Sequence, residues 1–269
     1  MLAHLREFAR NALPSRVVHA YRLARHTMFW PNEPEMRAVR QFLSSDRNAV
    51  DVGANFGLFT SVLARHSKRV IAFEPNSDCA RYLAQVLPRN CDVIAKAASD
   101  SSGKATLRVP VSDGTVVMSA LATIETANHF YSESRATGVV NHSVETTTLD
   151  QVLMHSRYAS ERLGFINIDA EGHEFSVLRG GEGLLAGHRP VLLVELEYRH
   201  GAPVAEVFDW LVARQYAPRA LLDGQNLAPL DASDVRALQT EERLARRLAG
   251  KPDSGYVNNV FFVPATAPA

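Results

Sequence analysis

Short apolar runs recur along this chain, at Asn48–Val52, Val70–Phe73, Val93–Ala97, Phe165–Ile168 and Val191–Leu196, with helix-like stretches between them. No other feature constrains the fold as tightly. Runs this short and this uniformly apolar suit strands buried on both faces, and such strands need helices above and below. Phe56–His66 reads as a helix with Leu58, Val62 and Leu63 on one side. Another runs through Leu83 and Leu87, and Phe175–Leu185 and Val204–Arg214 continue the series. The alternation predicts an α/β fold: a mostly parallel, Rossmann-like sheet with helices on both faces.

The rhythm fails between Gly103 and Val144. Ala105–Val111 alternates like a half-buried strand, Asp113-Gly114 turns, and Glu125–Asn141 is polar and without period, as in a loop or ordered insertion. Thr146–Leu149 reads as a strand and Leu149–Leu153 opens a helix. Later, Arg219–Leu222 and Val260–Val263 read as strands and Asp231–Leu248 as one charged helix. Before the first strand, Leu2–Met28 is helical with a break near Pro14, and Glu35–Leu43 is a short helix. The expected organisation is an N-terminal helical extension over 1–45 and one domain over 46–269, with an insertion at about 103–144.

Composition excludes several classes. Of 269 residues, 46% are hydrophobic and 22% charged, so the chain is neither disordered nor fibrous. Lys+Arg and Asp+Glu are both 29, which removes a whole-chain basic field for nucleic acid. Cys79 and Cys91 make no disulfide framework and have no metal-ligand spacing. The first thirty residues carry Arg6, Arg10, Arg16, Arg22 and Arg25 against Glu7. That arm suits packing on the domain, peripheral contact with a membrane surface or acidic partner, or matrix-type targeting. It contains no apolar run long enough for a secretory core or a membrane span, so the expected location is cytoplasmic.

The first strand runs into Asp51-Val52-Gly53-Ala54-Asn55-Phe56-Gly57. Gly53 permits a tight turn, and Gly57 removes a side chain where a helix crosses the sheet or a ligand. Asp51, at the strand end, suits either a ligand amine or the turn itself. Glu74 closes the second strand about twenty residues on, where a carboxylate receives both hydroxyls of a ribose; a salt bridge or helix cap is the other reading. Ala54 and Asn55 stand where a pyrophosphate cradle needs glycine, which favours a cofactor without phosphates. After the third strand, the small residues at Ala98 and Ser99 suit the flank of an adenine ring. Ser99 or Asp100 suits its edge, or ordinary turn chemistry.

The second dense site is Asp169-Ala170-Glu171-Gly172-His173-Glu174, after the strand Phe165–Ile168. If the extended backbone continues, Asp169 and Glu171 face the same way. A histidine is the natural group for taking a proton from a hydroxyl near neutral pH, so His173 is the candidate base, with Asp169 or Glu171 orienting it or binding the acceptor. A helix-start role is the alternative for His173. Asp, Glu and His also ligate metals, but no second ligand group is spaced to join them, so no metal is assigned. Glu195 and Glu197 end another apolar strand. A carboxylate there needs a partner: the substrate pocket, or an arginine such as Arg199 or Arg179. Asn258 and Asn259 read as turn residues.

Taken together, these blocks resemble the FkbM family of S-adenosylmethionine-dependent methyltransferases from about Asn48 to Val263. The family's opening turn falls on Asp51, Gly53, Ala54, Asn55 and Gly57, and its Glu-Pro on Glu74-Pro75. Its Ser-Asp with a following glycine falls on Ser99, Asp100 and Gly103. Its Asp-x-Glu-Gly block is Asp169, Glu171 and Gly172, followed by Glu174 and Val177-Leu178-Arg179-Gly180. Pro190, Glu195 and the closing Asn-Val-Phe-Phe-Val also match. Asn167 stands where relatives commonly carry Lys, and His173 where they carry a small residue. The resemblance implies a class I methyltransferase fold, S-adenosylmethionine as cofactor, and methyl transfer to a hydroxyl of a sugar or other small-molecule acceptor. The insertion would shape substrate access, with His129 and Arg135 as acceptor contacts. The other readings are a nicotinamide-dependent oxidoreductase and a non-catalytic nucleoside-binding protein; oligomeric state stays open.

Overall fold

The structure is a computed structural model that describes residues 14–25, 34–112, 115–116, 121–126, 128, 136–250 and 254–265. Its strands are β1 (Asn48–Val52), β2 (Val70–Phe73), β3 (Cys91–Ile94), β4 (Ala97–Ala98), β5 (Gly103–Ser112), β6 (Thr115–Val116), β7 (Gly138–Thr147), β8 (Leu163–Ile168), β9 (Val191–Glu195), β10 (Tyr216–Leu221), β11 (Leu227–Pro229) and β12 (Asn259–Pro264). One eight-stranded sheet has the order β11-β10-β12-β9-β8-β1-β2-β3. The strands from β9 to β3 in that order pair in parallel, while β12 runs antiparallel between β9 and β10. The chain winds outward from β1 to β3 and returns to β8 on the other side of β1. That reversal opens a crevice at the carboxyl ends of β1 and β8, where open α/β sheets bind ligands.

Side-chain alternation divides the core between the two faces. Val50, Val52, Ile166, Ile168, Leu192 and Val194 point to one face and pack with Leu149, Val177, Leu178, Leu185, Val207 and Leu211 of the helices there. Ala49, Val70, Phe165 and Leu193 point to the other, against Leu23, Met36, Val39, Val62 and Leu63. Each fully buried Leu, Ile or Phe contributes about 2 kcal/mol of apolar transfer, so both helical layers are integral to the sheet. The described part of the N-terminal arm belongs to the second layer. In helix Ser15–Ala24, His19 bonds the Ser61 hydroxyl at 2.8 Å and Arg16 donates to the Gln85 carbonyl at 2.9 Å. Arg6, Glu7 and Arg10 lie outside the described residues, as does the Asp113-Gly114 turn. Among the described residues, no helix is long and apolar enough to cross a membrane.

Several elements differ from expectation. The run Val93–Ala97 is split: β3 ends at Ile94, and Ala97–Ala98 leaves to pair with Thr146 and Thr147 of β7 in a second, four-stranded sheet. The polar stretch before Val144 is not all loop. From Gly138 it forms β7, a ten-residue strand antiparallel to β5. Most β7 side chains are exposed, so no buried face imprinted a period on the sequence. The helix expected over Phe175–Leu185 is two, Glu174–Arg179 and Glu182–His188. They break at Gly180, where a Cβ would stand 1.9 Å from the Ser99 carbonyl oxygen. Asp231–Leu248 is likewise two helices, Ala232–Leu238 and Glu241–Leu248. At the break, the Gln239 side-chain amide donates to the Leu196 and Val257 carbonyls, and Thr240 caps the second helix.

Candidate active site

A cavity of about 280 Å³ opens at the carboxyl ends of β1, β2, β8 and β9. Gly53, Asn55 and Glu74 line one side, and Asp169, Glu171 and His173 the other. Backbone geometry builds the first side. Gly53 has φ +80°, and a Cβ there would stand 1.8 Å from the Asp169 carbonyl oxygen, so only glycine lets the turn lie against the end of β8. Asn55 is also left-handed, at φ +46°, a conformation asparagine tolerates better than most residues. The amides of Gly53 and Ala54 donate to the Phe73 carbonyl, and that of Asn55 to Glu74 Oε2 at 2.7 Å. These N–H groups are spent within the protein, so the turn offers no nest for a pyrophosphate. A nucleoside without phosphates fits.

Glu74 is buried, and its Oε1 accepts from the Asn76 amide at 2.7 Å. Burial pushes its carboxyl up to about 7 against the pull of those two amides. Each oxygen accepts one protein N–H and keeps a lone pair for a ligand hydroxyl. Asp51 is elsewhere. It is fully buried in the sheet, where Thr60 Oγ1 donates to one oxygen and Asn167 Nδ2 to the other at 2.9 Å. These bonds tie the end of β1 to the following helix and to β8. Burial without a countercharge raises its carboxyl. Ala54 is buried under helix Ser77–Val86, and Gly57 starts the next helix, where a Cβ would meet Leu83 at 2.5 Å. Neither lines the cavity, and neither do Ser99 and Asp100. The small residues facing it after β3 are Ala97 and Ala98.

On the second side the strand ends at Ile168, and the backbone turns through left-handed Glu171 (φ +51°) and Gly172 (φ +100°). Asp169 and Glu171 therefore share the cavity through a turn, not through strand alternation. Glu174 closes that turn, its Oε1 accepting from the amides of Ala170 (3.0 Å) and Gly172 (2.9 Å), and burial pushes it up to about 7. Asp169 and Glu171 are both held well above the ordinary carboxylate range, first by burial and then by neighbouring Glu195. His173 caps helix Glu174–Arg179. Its Nε2 lies 2.9 Å from Ser99 Oγ and its Nδ1 3.2 Å from Glu125 Oε2. Asp100 binds Arg179 at 2.7 Å, away from the cavity.

Sequence reasoning missed several residues here. Glu125 lay in a stretch read as loop. Thr123 and Asn128 from the same insertion each donate to the Glu171 carbonyl at 2.8 Å. Asn258 is buried and lines the cavity, donating to Glu195 Oε1, so it is more than a turn residue. Arg199 binds Glu197 instead of Glu195, and Tyr256 OH donates to Glu197 at 2.9 Å. Glu171, Glu195 and His200 also converge, a ligand-like group that spacing along the chain conceals. Burial lowers His200 to about 4, so its imidazole is neutral. His129 and Arg135 lie outside the described residues.

The methyltransferase FkbM domain matches residues 51–218. The chain belongs to the FkbM methyltransferase family. The family's cofactor is S-adenosylmethionine, in keeping with a turn that cradles no phosphate. No curated protein matches the chain. Among solved structures, the FkbM methyltransferase of Methylobacillus flagellatus KT aligns at 17% identity and TM-score 0.47, over 82% of this chain and 44% of that one. The chain thus spans less than half of that protein's length. An rRNA methylase from Streptococcus thermophilus aligns at 14% identity and TM-score 0.38, over 75% and 93% of the two chains. The N-methyltransferase NodS of Bradyrhizobium japonicum WM9 gives 14% and 0.35, over 73% and 90%. In β8, the neutral amide of Asn167 meets the buried Asp51.

Proposed function

We propose that this chain transfers the methyl group of S-adenosylmethionine to a hydroxyl of a sugar or another small natural-product acceptor. One observation carries the reading: a single cavity joins the phosphate-free glycine turn and Glu74 to Asp169, Glu171 and His173. S-adenosylmethionine, when bound, supplies an electrophilic methyl carbon. Glu74 would accept from the ribose hydroxyls, and Gly53, Asn55, Ala97 and Ala98, which line the same part of the cavity, would hold the rest of the nucleoside. Asp169 and Glu171 hold the acceptor. His173 takes its proton through Nε2, with Nδ1–H donated to Glu125, the alignment of a histidine–carboxylate dyad. Asp51, Ala54, Gly57 and Asp100 support this machinery from behind.

Calorimetric titration of the purified chain with S-adenosylmethionine and, separately, with NADH tests the cofactor. Binding of the first alone supports the reading; binding of NADH alone replaces it with an oxidoreductase. A panel of hydroxylated acceptors assayed for methyl incorporation then tests the acceptor class. Label that survives blocking of the acceptor hydroxyls would refute O-methylation.

A further inference from the structure

We propose that Glu171, Glu195 and His200 bind one divalent cation that accepts mixed oxygen and nitrogen donors, Mn²⁺ or Zn²⁺, at the carboxyl ends of β8 and β9. One donor atom from each lies within 4.8 Å of the other two. Parallel pairing of β8 with β9 brings the segments together: Glu171 sits in the turn after β8, Glu195 ends β9, and His200 closes the short 3-10 helix Tyr198–His200 that follows. Gly172 permits the close approach, since a Cβ there would stand 2.8 Å from the His200 carbonyl oxygen. Glu171 Oε2 lies 3.4 Å from His200 Nδ1. Two donors bound about 2.1 Å from a tetrahedral ion stand about 3.4 Å apart, so this edge already has coordination geometry.

A second observation is independent of the clustering. The Glu171 side chain is only 10% exposed, and its Oε2 is buried and accepts no hydrogen bond. A buried carboxylate oxygen without a donor carries a desolvation cost that a bound cation removes. Asp169 and Glu195 add carboxyl groups beside it, while the nearby Arg199 guanidinium is bonded to Glu197. The imidazole in the set selects Mn²⁺ or Zn²⁺ over Ca²⁺. Behind His200, Glu197 Oε2 stands 3.8 Å from Nε2, an ion-pair distance beyond hydrogen-bond reach, and is itself held by Tyr256. Glu171 and Glu195 also line the cavity, so the ion would sit at its wall.

The inference stands apart from methyl transfer and is tested without it. The full-length chain, stripped with a chelator, is dialysed to equilibrium against MnCl₂ or ZnCl₂ alone, and bound metal is measured by mass spectrometry. Near-stoichiometric binding of either ion is expected. Glu171→Gln, Glu195→Gln and His200→Gln should each weaken it at least about tenfold, with Glu161→Gln, at the remote Lys68 ion pair, unchanged. Near-ultraviolet circular dichroism identifies the variants that keep the fold, and only those are scored. Sub-stoichiometric binding by the folded wild type, or binding that the folded variants retain in full, overturns the proposal. S-adenosylmethionine affinity measured on the same metal-free chain tests the methyltransferase reading separately.

Discussion

The two sides of the cavity are built in opposite ways. The Gly53–Glu74 side consists of backbone conformation and amide donors, with one carboxylate whose two oxygens both accept N–H bonds. The Asp169–Glu174 side gathers buried carboxyls around a histidine, and the residues that orient them come from an insertion and from the end of the next strand. The first side is rigid and nearly complete before any ligand arrives. On the second, charges accumulate that a substrate, a cation or protons must balance. That difference underlies the proposal of a fixed cofactor on one side and proton-moving chemistry on the other.

Substitutions can break that contrast, and the largest effect belongs to the rigid side. Gly53→Ala sets a Cβ against the Asp169 carbonyl in a left-handed residue. A loss of about 3 kcal/mol and a melting temperature lower by roughly 10 °C are expected. A thermal melt unchanged from wild type would show that the turn is looser than its geometry implies. On the other side, His173→Ala should lower turnover at saturating acceptor by about 10²-fold or more while leaving cofactor affinity nearly intact. Equal losses in both quantities would make His173 a structural cap. Glu125→Gln, which keeps the shape but removes the charge facing Nδ1, should cost less in the same turnover assay.

Glu74 tests the boundary between the sides. Its folded value of about 7 lies above the ordinary 4.5. The folded protein therefore holds this proton more tightly than the unfolded chain does. The site's contribution to stability is full below the ordinary carboxylate range and is lost as pH rises through about 7. Under the proposed assignment of Glu74 to the ribose hydroxyls, ionisation makes it the stronger acceptor, so cofactor affinity should rise up to about tenfold between pH 6 and 8. Glu74→Gln should flatten that rise in calorimetry. The smallest effect is expected at Asn167→Lys, which gives the buried Asp51 a countercharge. Asp51 should then titrate lower, and stability above neutral pH should rise by about 1 kcal/mol in chemical denaturation. A loss there would show that the site has no room for the longer chain.

Much of this molecule was legible from neighbouring residues. The apolar runs, their β1–β2 spacing, and the pairing of a glycine turn with Glu74 follow from local periodicity and backbone sterics, which act between residues close in the chain. Those same features carried the family. The glycine required at 180 and the split at Gln239 were not legible, because the groups they meet, the Ser99 carbonyl and the Leu196 and Val257 carbonyls, lie in other segments. Ser99 meets His173 across 74 residues, and Glu171 is fastened by Thr123 and Asn128 of an insertion whose exposed strand left no period to read.

By itself, then, the sequence determined the parallel α/β architecture and the side of the cavity made from a turn and one carboxylate, since short-range sterics and patterning suffice for those. Only the tertiary structure decided that Asp51 is a buried strut, that Glu125 stands behind His173, and that Glu195 and His200 join Glu171. Those contacts are set by strand order and crossover, which bring distant strand ends to one edge of the sheet.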